Sequence, residues 1–305
     1  MKRAPIQFFN RYSGEIETEV IYGEGFLRWA YENPLGRITV EGIAKRLFFS
    51  AWYGWRMSRP GSRSRIRPFV DTFGLNPAEF RKSIDEFSHF NDFFARELNS
   101  ECRPLNNDEN SIVFPADGRH FGFPRLDKVD SVFVKGQQFD LATLLINPEL
   151  TARYRRGTAV LSRLCPTDYH RFHFPCQGTP GFPLPIKGYL YSVSPVALRR
   201  QLAYLWQNKR MITKLETPHL GTVTIVEFGA TNVGSINQTF PPNRPVDKGQ
   251  EKGFFLFGGS ATMTFFEPNK VQLAPDLIHH SAAGRELYAH MGDAMGTGQT
   301  KLSDH

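Results

Sequence analysis

From Pro104 onward the sequence breaks into short β-branched or aromatic runs, each bounded by turn residues, and no other feature constrains the fold as much. The runs are 158–164, 186–193, 221–228, 253–257 and 262–266. Asn-Asn, Pro-Cys-Gln-Gly, Thr-Pro-Gly and Pro-Pro-Asn stand between them. Segments this short are ended by a turn before they complete a helical stripe, so they predict a mostly antiparallel β domain. One helical interruption is expected around residues 195–208. The 26 Gly and 21 Pro supply the many turns this needs.

Before Pro104 the periodicity is different. Val40, Ile43, Ala44, Leu47, Phe48, Ala51, Trp52 and Trp55 recur at spacings of three and four, which places them on one face of a helix. Lys45 and Arg46 lie off that face. A loop rich in Gly, Ser and Arg follows at 58–68. A second helical stretch is predicted to start at Asn76-Pro77, an N-cap followed by a first-turn proline, and to run to about Leu98. Phe80, Ile84, Phe87, Phe90, Phe93 and Phe94 fall on or near one side of it. The chain therefore reads as α+β, with a helical, basic amphipathic region at 1–104 and a β-rich domain at 105–305.

The net charge of +7 is localised. Arg37, Lys45, Arg46, Arg56, Arg59, Arg63, Arg65 and Arg67 face only Glu41 in their window, so that window holds the whole excess. Beside Trp52 and Trp55, such a patch suits an anionic membrane surface. A helix packed on the core beside solvated charges explains the same pattern equally well. No nucleic-acid-binding motif accompanies the patch, so no nucleic-acid partner is expected. The longest uncharged apolar run, 253–266, has 14 residues and three glycines, short of the ~20 needed to span a bilayer. The N-terminus lacks the apolar stretch of a secretory signal. Three cysteines, Cys102, Cys165 and Cys176, without a C-x-x-C pair, argue against a disulfide framework or structural zinc and for a reducing compartment.

Phe257-Gly258-Gly259-Ser260-Ala261 is the segment with the most chemistry in it. Alone, it reads best as a β-bulge or tight turn. The other reading is an intramolecular acyl shift. Ser260 Oγ attacks the carbonyl of Gly259, which has no side chain to obstruct it, and the peptide becomes an ester. β-Elimination then releases Gly259 as a carboxylate, and the dehydroalanine left behind hydrolyses to a pyruvoyl group and ammonia. A serine needs a base for this. His173, in Asp168-Tyr169-His170-Arg171-Phe172-His173, can take the proton. Asp117, in Pro115-Ala116-Asp117-Gly118, can orient and balance the imidazole. His170 and His173 could instead be half of a metal site or packed polar residues, but no further ligands are suitably spaced, and no metal is expected. Asp117-Gly118 is by itself an ordinary turn dipeptide.

Four segments resemble the phosphatidylserine decarboxylase family in the family's own order. Asn91-Asp92-Phe93-Phe94-Ala95-Arg96-Glu97-Leu98 with Arg103-Pro104 is similar to its F-F-x-R-x-L…R-P. Pro115-Ala116-Asp117-Gly118 is similar to P-x-D-G, and Asp168–His173 to D-Y-H-R-x-H. Glu251-Lys252-Gly253 with Phe257-Gly258-Gly259-Ser260 resembles the cleavage region. The N-terminal Tyr22–Leu27 and Asn33–Gly36 segments resemble one bacterial branch. The resemblance covers about residues 90–270. It implies a self-cleavage triad of Asp117, His173 and Ser260, cut between Gly259 and Ser260, with Ser260 becoming a covalent pyruvoyl cofactor. It assigns His170 to decarboxylation. It implies conversion of phosphatidylserine to phosphatidylethanolamine through a Schiff base, in phospholipid biosynthesis. The expected partners are phosphatidylserine and an anionic membrane surface, with large and small chains staying associated and a homodimer left open. The expected location is peripheral, on the cytoplasmic face of a bacterial cell membrane. One position departs from the family: Ala261 stands where a Thr usually follows the cleaved Ser, which implies slower processing if that hydroxyl contributes. A pyruvoyl enzyme for a soluble amino acid and a non-enzymatic lipid- or protein-binding β domain remain alternatives.

Overall fold

Sixteen strands form among the residues that the computed structural model describes, which are 5–20, 24–40, 52, 54–128, 139–230, 236–257 and 260–299. They are β1 (Gln7–Asn10), β2 (Glu15–Thr18), β3 (Ser111–Val113), β4 (Gly118–Phe123), β5 (Thr158–Leu164), β6 (Arg171–His173), β7 (Thr179–Pro180) and β8 (Leu184–Ile186). The rest are β9 (Arg210–Thr217), β10 (Gly221–Phe228), β11 (Ile236–Gln238), β12 (Glu251–Phe255), β13 (Ser260–Phe266), β14 (Val271–Leu273), β15 (Glu286–Ala289) and β16 (Ala294–Gly298). Ten of them make one sheet in the order β2-β1-β15-β4-β5-β13-β10-β9-β7, with β8 also on β9. Its pairings are antiparallel except β1 with β15. Two three-stranded sheets, β11-β12-β6 and β14-β16-β3, complete the β structure.

β13 is central and wholly buried along its length. Successive side chains of a strand point to opposite faces. Ala261, Met263 and Phe265 enter one hydrophobic cluster, with Leu161, Val226 and Phe228. Ser260, Thr262 and Thr264 face the other way. Thr264 lies opposite Val160 and Ile225, which belong to a second cluster. Burial on both faces explains why this strand reads as a continuous run rather than an alternating one.

The expected strands at 158–164 and 221–228 form with those limits. Two short helices, Pro195–Leu198 and Tyr204–Gln207, fill the predicted helical interruption. The N-terminal region is not all helical as expected: β1 and β2 form a hairpin that extends the main sheet through β15. Polar ends and a Gly14 turn at φ 71° gave only four alternating residues per strand, too few for a strand signal.

The helix expected from Asn76 to Leu98 is also corrected. Asn76 does cap, accepting from the Ala78 N–H, but the segment is two 3₁₀ turns, Pro77–Glu79 and Ile84–Glu86, and one short helix, Phe90–Phe94. Ser83 and Glu86 form a capping box and His89 caps again, so the chain restarts twice. The regularly spaced phenylalanines pack edge-to-face into one aromatic cluster with Phe69, Val70 and Phe257. Most of the helix expected between Val40 and Trp55 lies outside the described residues; Trp52 and residues 54–57 are helical. No helix among the described residues is long and apolar enough to cross a membrane.

Candidate active site

Ser260 is the first residue of β13 and pairs with Leu164, the last residue of β5. Its side chain is wholly buried, and its Oγ has no hydrogen-bond partner among the described residues. A buried hydroxyl without a partner costs about 1–3 kcal/mol; the Thr262 and Thr264 hydroxyls on the same face of β13 have none among the described residues either. The row next to it runs Arg119–Arg163–Ala261 across β4, β5 and β13. Asp117 precedes β4 at this same end of the sheet. Gly118 is required there, because a side chain at 118 would run into the Arg163 carbonyl.

The β5–β6 loop is pinned on both sides. Asp168 binds Arg119 at 2.7 Å and accepts from the Cys165 N–H at 2.7 Å. Arg163 bridges Glu19 of the N-terminal region (2.5 Å) and Glu286 of β15 (2.7 Å), and all three are buried. His170 is wholly buried. Its Nδ1 lies 3.0 Å from the Asp168 carbonyl and carries the hydrogen, since a carbonyl only accepts. The Phe94 ring lies 3.9 Å from the His170 ring and 5.0 Å from that of Phe257, three residues before Ser260. His170 also accepts the Phe255 N–H through its carbonyl, at 2.9 Å. The structure thus brings His170 against the segment that leads to the Gly259-Ser260 bond.

His173 ends β6, opposite Glu251. Its backbone N–H donates to the Pro115 carbonyl at 2.7 Å, tying it to the segment of Asp117. Burial pushes its imidazole down to about 4, with smaller upward effects from Glu251 and the Pro115 carbonyl. It is therefore neutral near pH 7 and able to accept a proton. Its Nδ1 has no hydrogen-bond partner among the described residues. Asp117 is not bonded to this ring. Its carboxylate receives Arg103 Nε at 2.8 Å, Arg103 Nη2 at 2.6 Å and the Met291 N–H at 2.9 Å. Sequence reasoning did not single out Arg103 as Asp117's partner, although the residue stood in a motif. Gly259 lies outside the described residues.

Asn91 was also missed. It is buried, accepts the Phe257 N–H at 2.9 Å, and donates to the Gly54 carbonyl and Ser58 Oγ. Its amide anchors the strand before the cleavage segment to the N-terminal region. Its place at the head of the aromatic motif was the one available signal. Arg96 lies buried 5.1 Å from the Phe80 and Phe93 rings and donates to the Thr167 and Asp168 carbonyls.

The comparisons with known proteins give the class of this chain as decarboxylase. The phosphatidylserine decarboxylase family model matches residues 90–296. A phosphatidylserine decarboxylase proenzyme of Fusobacterium nucleatum is 42% identical over 95% of this chain and 97% of its own length. Proenzymes of the same name from Clostridium beijerinckii (42% identical, 96% and 99% covered) and Chlamydia muridarum (40%, 97% and 98%) are similar over nearly the full chain. The chain belongs to the phosphatidylserine decarboxylase family.

Proposed function

We propose that this decarboxylase cuts itself between Gly259 and Ser260 and acts on phosphatidylserine. The observation that carries the proposal is the buried Ser260 Oγ without a hydrogen-bond partner among the described residues, directly after a glycine pair in the sequence. His173, held neutral by burial, is the base for the Ser260 hydroxyl. Asp117 keeps its carboxylate on Arg103 and sets the electrostatics of the segment to which His173 is bonded. The attack forms the Oγ–carbonyl bond and breaks the peptide bond. Loss of the Ser260 Cα proton then breaks Oγ–Cβ, and water replaces the nitrogen as ammonia. A pyruvoyl group at position 260 would supply an electrophilic carbonyl for the substrate amine and an electron sink for decarboxylation. His170, beside the Phe257 segment, orients substrate or moves a proton in decarboxylation.

The two products stay together because β13, the first strand of the small chain, lies between β5 and β10 of the large one. The relatives' name supports phosphatidylserine as substrate and phosphatidylethanolamine as product. A lipid surface is supported by exposed Trp29, Leu35, Ile38, Trp52 and Trp55 near the basic patch, with the Arg59 guanidinium 4.2 Å over the Trp55 ring. The bacterial relatives support a bacterial origin, and the location that fits the lipid reading is peripheral, on the cytoplasmic face of the cell membrane. Ser260→Ala is expected to remain one chain and to release no CO₂ from phosphatidylserine vesicles. Release of CO₂ from free serine but not from phosphatidylserine would overturn the lipid assignment.

A further inference from the structure

The base and the nucleophile proposed above sit on different sheets. His173 is on β6, in the β11-β12-β6 sheet, and Ser260 is on β13, in the ten-stranded sheet. Something must fix one sheet against the other for a hydroxyl and an imidazole to meet.

Lys252 and Glu227 cross that gap. Lys252 lies on β12, where the pairing with β6 shifts register between Glu251 and Gly253, directly beside His173. Such a bulge re-aims a side chain. The ammonium of Lys252 reaches Glu227 Oε1 of β10 at 2.8 Å and Thr213 Oγ1 of β9 at 3.0 Å. Gln238 of β11 closes the circuit, accepting from Lys252 at 2.7 Å and donating to Glu227 Oε2 at 3.0 Å. Both charged side chains are wholly buried. The Lys252 ammonium lies 5.6 Å from the Phe172 ring and 5.9 Å from the Phe174 ring, the two neighbours of His173. Glu227 pairs in register with Thr262, so its side chain shares a face with Ser260, one diagonal step away.

Stability does not explain the pair. Apolar residues of similar volume often replace a buried ion pair at no cost or with a gain, whereas fixing register is its best-attested use. We propose that Glu227 and Lys252 are positioning residues, an ionic cross-link that sets the His173 strand against the Ser260 strand for self-cleavage. This rests on the self-cleavage reading above.

The test is the double variant Glu227→Met/Lys252→Met, followed by gel time-course and by thermal unfolding. Chain cleavage is expected to slow by about 10- to 100-fold, the scale of a 1 Å misplacement, while the unfolding midpoint stays at or above that of the unsubstituted protein. Cleavage within twofold of the unsubstituted rate overturns the proposal. Slow cleavage with a lowered midpoint also overturns it, in favour of plain scaffolding. If the double variant does not fold, Glu227→Gln/Lys252→Met, which leaves no buried charge and keeps Gln238 as a partner for position 227, is judged by the same two outcomes. An unsubstituted protein that never cleaves contradicts the self-cleavage reading instead, so the two failures are distinct.

Discussion

Replacing Asn91 by alanine removes a side-chain acceptor bonded to the Phe257 N–H, three residues before Ser260. That N–H is buried, and removing the acceptor of a buried donor costs about 1–3 kcal/mol. The Gly54 carbonyl loses one donor but keeps the Ser58 N–H and hydroxyl. A total of about 2–3 kcal/mol is expected, against the ~5–15 kcal/mol that holds a typical domain folded. The variant should therefore fold. Stability is measured by urea unfolding in a Ser260→Ala background, where no cleavage intervenes. Cleavage is measured in the Ser260 protein and should slow by about 10- to 100-fold, because the segment entering the cleavage site has lost its anchor. Ser58→Ala is the control. It removes the bond from Asn91 Nδ2 to an exposed hydroxyl and that hydroxyl's own bond to the Gly54 carbonyl, and should cost under about 1 kcal/mol with cleavage unchanged. An Asn91→Ala protein that cleaves within twofold of the unsubstituted rate refutes the reasoning.

His173→Ala should block cleavage, apart from a residual rate ~10²–10⁴-fold lower, while His170→Ala should cleave and then decarboxylate poorly; equal cleavage defects on gels would end that division of roles. Burial lowers the folded His173 to about 4 against ~6.5 unfolded, so protons bind the unfolded chain first as pH falls. The Ser260→Ala protein should accordingly lose about 3 kcal/mol from this group between pH 6.5 and 4, and urea unfolding across that window should show His173→Asn relieving that part of the acid loss. Ala261→Thr should not speed cleavage, since position 261 faces the hydrophobic cluster on the side of β13 away from Ser260, and a hydroxyl buried there should cost about 1–3 kcal/mol by urea unfolding; faster cleavage would contradict the side assignment. Arg63 and Arg67 are engaged by Asp85, so replacing Arg56, Arg59 and Arg65 with Gln should weaken sedimentation with anionic vesicles while leaving cleavage intact.

The β-rich domain was legible because its strands are short, β-branched and fenced by turn residues, and β5 and β10 match their runs in length. The β1–β2 hairpin was not, because four residues with polar ends carry too little alternation, and its place beside β15 depends on contacts 270 or more residues away. The region from Asn76 to Leu98 misled for another reason. Phenylalanines spaced three and four apart satisfy a helical pattern, yet N-caps at Ser83 and His89 each start a new short element, and the rings pack against Phe257. At the site, Ser260, His170 and His173 were legible as residue types in motifs, and the structure adds their burial. What holds them could not be read from the chain. The Arg103–Asp117 bond, the Asn91 anchor and the Glu227–Lys252 link join segments 14, 166 and 25 residues apart, and only the folded sheets bring them together.

Intact mass spectrometry of the purified protein, with the Ser260→Ala variant beside it, tests the central claim most directly. The account predicts two chains, residues 1–259 and residues 260–305. The second should begin with a pyruvoyl group that reacts with a carbonyl reagent, and the variant should give one mass. A single full-length mass from the unsubstituted protein, with no carbonyl-reactive terminus, would contradict it.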